Sequence, residues 1–132
     1  MTRKQKEVVG HRLARARETL AAAKVLEDSH FHFSAINRLY YACFYAVTAL
    51  FASQGLASSK HSGVLALFNR HFVKTGIVSK RLGEFFGDLF DTRHEGDYTD
   101  FATFTSEELT ELHESAVNFV EEISRIIEPK SR

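Results

Sequence analysis

Apolar residues recur at spacings of three and four through most of this chain, and each such run predicts a helix. The longest and most apolar is Ser34 to Gln54, SAINRLYYACFYAVTALFASQ. Ile36, Tyr40, Cys43, Val47 and Leu50 form one stripe. Tyr41, Phe44, Thr48 and Phe51 form a second, and Leu39 and Tyr45 widen the pair. A helix apolar on nearly every face belongs inside a core. Its uninterrupted part, Leu39 to Ala52, is fourteen residues and includes Thr48, too short to cross hydrocarbon, so no membrane is expected. Before it, Val9, Leu13, Ala16, Leu20, Ala23 and Leu26 predict a helix over about 4–27, closed at Asp28-Ser29, with Ser29 as cap of the next.

Gln54-Gly55 ends the central helix with a glycine suited to a left-handed cap. Ser58 or Ser59 then caps a short helix carrying Val64, Leu65, Leu67, Phe68 and Phe72, which stops near Gly76. Ser79 opens a fourth helix with Leu82, Phe85, Phe86, Leu89 and Phe90; its end lies anywhere from Asp91 to Tyr98. The segment DTRHEGDYTDFATFT has no usable apolar period and is expected to be irregular. Thr105 and Glu108 make a capping box for a last helix with Leu109, Leu112, Ala116, Phe119, Val120, Ile123 and Ile127. No stretch alternates long enough for a strand. The expectation is an all-α chain: an antiparallel up-and-down bundle of four long helices plus one short, with 1–132 a single helical domain.

Charge changes this picture in one respect. The net formal charge is zero, so the total does not mark a nucleic-acid binder. Its distribution is uneven: residues 1–24 hold seven Lys/Arg against two Glu, and residues 105–128 hold seven Glu against one Arg. Either the first and last helices are neighbours with complementary surfaces, or the basic helix faces an anionic partner such as RNA or a nucleotide. Cys43 is the single cysteine and lies in the apolar helix, which excludes an intrachain disulfide and fits a reducing cytoplasm. The N-terminus has no apolar run of the signal-peptide kind. Twelve Phe and four Tyr exceed what a small bundle hides easily, which points to a homodimer.

Candidate chemistry is sparse. The seven histidines include no HExxH, and no CxxC occurs, so neither a metal nor another cofactor is expected. No GxGxxG or Walker sequence is present. Lys60 and His61 stand at a helix start, where free N–H groups favour an anion or simply a polar cap. Arg38 and Asn37 enter the central helix beside its aromatics. A buried guanidinium there needs a partner, and Asp91, Glu95 or Asp97 can supply it as a structural ion pair. Arg93, His94, Glu95, Asp97 and Tyr98 fall within six residues, a group able to hold a phosphate, move a proton and stack on a base.

Three segments, NRLYYACFYAVTALF, KHSGVLALFNRHFVKTG and LFDTRHEGDY, resemble the HEPN domain (higher eukaryotes and prokaryotes nucleotide-binding), in particular its small stand-alone prokaryotic members. The likeness runs from about Leu13 to Ile127. It rests on Asn37-Arg38-x-Tyr40-Tyr41-Ala42 together with Arg93-x-x-x-Asp97-Tyr98. The resemblance implies a five-helix bundle that dimerises and pairs with a minimal nucleotidyltransferase as toxin and antitoxin. In toxin members it implies a metal-independent ribonuclease marked by Arg, four to six residues, then His. No arginine here has a histidine at that spacing: Asp97 stands near the histidine's place, and His94 is adjacent to Arg93. The resemblance therefore implies a binding or regulatory protein with Arg93, His94, Tyr98, Lys60 and His61 toward nucleotide or RNA. The alternatives are a ribonuclease using Arg93 with Asp97, His94 or Tyr98, and a purely structural dimeric module. Tyr98 matches the position at which a nucleotidyltransferase adds adenylate in some relatives.

Overall fold

A computed structural model of the chain describes residues 1–57, 60–98 and 104–128, with residues 94–98 described by backbone alone. The described residues form α1 (Arg3–Asp28), α2 (His32–Ser53), α3 (His61–Phe68), α4 (Lys80–Tyr98) and α5 (Ser106–Ile127). A π-helical turn, Asn69–Val73, extends α3, its register shown by Lys74 N–H donating to the Asn69 carbonyl at 2.8 Å. The all-α expectation holds: there are four long helices and one short, and the described residues contain no strand.

The ends of the helices follow local chemistry, with two departures from expectation. Thr2 and Gln5 cap α1 reciprocally, and Thr105 and Glu108 do the same for α5. Gly55 (φ 73°) and Gly76 (φ 84°) take the left-handed conformation at the two predicted stops. Ser29, however, closes α1 instead of opening α2. His30 adopts φ 64°, its N–H donates to the Glu27 carbonyl, and the Phe31 N–H donates to the Leu26 carbonyl at 2.9 Å. These are the two bonds of a Schellman turn, which absorbs the orphan carbonyls of α1 and leaves α2 with no side-chain cap. At α3, Lys60 occupies the cap position; Ser58 and Ser59 lie outside the described residues. The first part of the segment without an apolar period continues α4 to Tyr98, the far end of the range expected for that helix. Nothing between Asp91 and Glu95 breaks a helix, and a weak apolar period does not stop one that is already packed.

Around α2 the other helices close a core. Val9 and Leu13, early in α1, cluster with Ala49, late in α2, so these helices run antiparallel. Arg17–Glu121 and Glu27–His113 contacts set α5 antiparallel to α1. The first stripe of α2 (Ile36, Tyr40, Cys43, Val47, Leu50) is fully enclosed with Phe68, Phe86 and Phe119 from the later helices. Its second stripe is enclosed only at Phe51: Tyr41, Phe44 and Thr48, with Tyr45 beside them, remain half-buried. The prediction of a helix buried all round is thus corrected on one face, because α1, α3, α4 and α5 cover the opposite sides and leave this strip open. Among the described residues no helix is long and apolar enough to cross a membrane.

Candidate active site

The open strip of α2 gains its chemistry from α3 and α4. Arg93 on α4 places its guanidinium carbon 5.3 Å from the Tyr40 ring centre and 5.4 Å from that of Tyr41. Its Nη2 lies 3.5 Å from the Tyr41 hydroxyl, at the outer limit for donation. From the preceding turn of α2, the Arg38 guanidinium covers the Tyr41 ring at 4.9 Å and donates to Asn37 Oδ1 at 3.0 Å. Tyr41 thus carries two cations, attracted by the negative face of its ring.

His61, the first residue of α3, completes the group. Its ring stacks on Phe44 at 4.3 Å and 9° and meets Tyr41 edge-on at 5.4 Å. Its Nδ1 shares a 3.0 Å hydrogen bond with the Tyr40 hydroxyl, the His61 tautomer setting the direction. Tyr40 is fully enclosed and lies parallel to Phe86 at 5.8 Å. Burial pushes its phenol well above the ordinary range, the nearby Arg93 charge opposing only part of that. It therefore acts near neutrality as a protonated positioning group and holds His61 at the edge of the strip.

Two guanidiniums and an imidazole beside half-buried aromatic rings can accept an anion and hold a planar base. Of the residues singled out from sequence, the fold brings Arg93, His61, Arg38 and Asn37 together. Lys60 precedes His61 and is exposed. The side chains of His94, Asp97 and Tyr98 lie outside the described residues, as does that of Glu95. The expected carboxylate partner of Arg38 is not found among the described residues: Arg38 is half-buried, not enclosed, so Asn37 and Tyr41 suffice for a guanidinium that keeps contact with water. Sequence reasoning treated Tyr40 and Tyr41 as core aromatics. The missed signal was the three-residue spacing of Arg38 and Tyr41, which stacks one over the other on a helix. No group of three or more His, Cys, Asp or Glu among the described residues is placed to hold a metal ion.

The helical bundle with an arginine–tyrosine site defines a class, and comparison with known proteins identifies it. The HEPN domain family matches residues 9–128, and the chain belongs to that family. A UPF0332 protein of Thermotoga maritima is 45% identical over 100% of this chain and 99% of its own. Methanocaldococcus jannaschii has a protein named "Putative toxin MJ0605", 32% identical over 85% of this chain and 83% of its own. "Putative toxin MJ0142" of the same organism is 35% identical over 65% of this chain and 58% of its own.

Proposed function

We propose that this protein is a toxin-type HEPN protein that binds a nucleotide or single-stranded RNA at the Tyr41 site, in a regulatory role with a minimal nucleotidyltransferase. The carrying observation is the convergence of Arg38 and Arg93, from different helices, on one tyrosine ring with His61 at its edge. Two forks from separate elements suit a phosphate, and the half-buried Tyr41 and Phe44 offer surface to a base. Family membership and the toxin names of two relatives support the same reading. Exposed Phe31 and Phe33 at the start of α2, outside the open strip, also support a two-fold dimer. Tyr98 remains the position at which a nucleotidyltransferase partner would add an adenylate.

The test is fluorescence anisotropy with labelled uridylyl-uridine, the protein held at the concentration at which light scattering reads its mass. Arg93→Ala removes one charge-assisted contact worth about 1.5–3 kcal/mol, so affinity falls roughly ten- to a hundredfold while helicity is retained. Unchanged affinity overturns the site. A second reading, ribonuclease, is favoured by one observation: His61 brings to the Tyr40–Tyr41 pair that Arg93 also meets an imidazole that the chain lacks at the ribonuclease spacing. Cleavage of a single-stranded RNA in EDTA, lost in His61→Ala, would select it over binding alone.

A further inference from the structure

The cations of α1 fall into two sets. On the side facing α5, Arg17 pairs with Glu121 at 3.1 Å and donates to Ser124, and Lys24 pairs with Asp28 within the helix. On the side facing the open strip of α2, the arginines meet tyrosine and backbone. Arg15 covers the Tyr45 ring at 4.9 Å, and Arg12 donates to the Thr48 carbonyl at 3.0 Å. Among the described residues neither Arg12, Arg15 nor Arg38 lies within ion-pair distance of a carboxylate.

These arginines border two depressions separated by Tyr45. One, of about 410 Å³, lies between α1 and α2 and is lined by His11, Arg15, Glu18, Arg38 and Tyr45, with small residues of α1 on its floor. The other, of about 250 Å³, runs on past Arg12, Phe44 and Thr48 toward the end of α2. Tyr45 lines both depressions and Arg38 the first, and the Tyr45 ring lies 6.1 Å from that of Tyr41, centre to centre, so the depressions adjoin the ring that Arg38 and Arg93 flank. From Arg38 to Thr48 the helix rises about 15 Å. Among the described residues Glu18 is the one carboxylate lining either depression.

We infer that the α1–α2 groove is a track for single-stranded nucleic acid leading away from the Tyr41 site. Alternating guanidiniums and aromatic rings along a groove are what a flexible polyanion with planar bases requires: cations meet phosphates, and rings meet bases without regard to sequence. This inference rests on the binding reading of the Tyr41 site and extends it, with Arg15 and Tyr45 as contacts for the nucleotide next to the one on Tyr41.

The experiment compares labelled oligouridylate of twelve residues with uridine monophosphate, which fills the Tyr41 site alone, in wild type, Arg15→Glu and Arg15→Lys, across a salt series. Arg15 is exposed, so its substitution leaves the fold intact. In Arg15→Glu the twelve-mer binds at least about tenfold more weakly, and its salt slope falls by about 0.7 for the lost phosphate contact, while the mononucleotide is unaffected. Arg15→Lys keeps the salt slope. Equal twelve-mer affinity in wild type and Arg15→Glu overturns the track while leaving the Tyr41 site standing. Failure of wild type to bind either ligand overturns both. A change of sedimentation mass in Arg15→Glu also overturns the track, because the groove would then be a contact between copies of this chain.

Discussion

His113 and Glu27 show how one polar contact ties distant segments. The histidine Nδ1 lies 2.6 Å from Glu27 Oε2, joining α5 to the end of α1, with the side chains only 18% and 7% exposed. Replacing His113 by Ala strands a nearly enclosed carboxylate. The expected loss is about 2–3 kcal/mol, read as a lower urea midpoint, and His113→Gln, which keeps a donor, loses less. A loss near zero would mean that water replaces the imidazole at no cost. The surface pair Arg17–Glu121 contrasts with it. The Arg17 hydrogen bond holds the Glu121 carboxyl below its usual range, so what it contributes is present above the ordinary carboxylate pKa and lost as pH falls below it. That contribution is small, because both partners face solvent. Neither contact was readable from spacing: Glu27 and His113 are 86 residues apart.

At the scale of elements, the approach of α4 to the π-helical turn depends on one missing atom. A Cβ on Gly83 would lie 2.7 Å from Val73 Cγ2 and 3.0 Å from Cγ1. Valine is stiff about χ1, so it cannot easily turn aside. Gly83→Ala gains up to about 1 kcal/mol of helix propensity and loses more to overpacking, for a net destabilisation of about 1 kcal/mol. In a Val73→Ala background the sign reverses, and Gly83→Ala becomes stabilising. Thermal melts of the four proteins in this cycle measure the coupling, and additivity would show that the helices separate freely. The helices and most of their caps were legible in the sequence, because periodicity and capping are local. The Schellman turn at His30 was not, since it puts a non-glycine residue in the left-handed region and Ser29 reads equally well as a start or a stop.

For the molecule as a whole, Cys43 reports on the integrity of the bundle. It is fully enclosed in α2, and burial pushes its thiol far above the ordinary range. A disulfide reagent reaches it only when the helices around α2 come apart, so native labelling is slow and tracks global stability. Labelling is expected to quicken in His113→Ala in proportion to its lost stability. Fast labelling insensitive to that substitution would mean that α2 opens locally. The same enclosure on one side and exposure on the other sets the candidate functional face: the core side of α2 carries stability, and the open side carries Tyr41 and Tyr45 with the arginines over them.

The amino-acid sequence alone determined the helix class, the number of helices, most of the glycine and capping-box boundaries and the family resemblance, since each depends on residues within a few positions of one another. It also singled out Arg93, Arg38 and His61, though as members of separate motifs. Only the tertiary structure decided which face of α2 stays uncovered, that Arg38 rests on Tyr41 and Asn37, and that His61 reaches Tyr40 across 21 positions of chain. Periodicity states which residues share a face of a helix. Which neighbour covers that face depends on how all the helices pack at once.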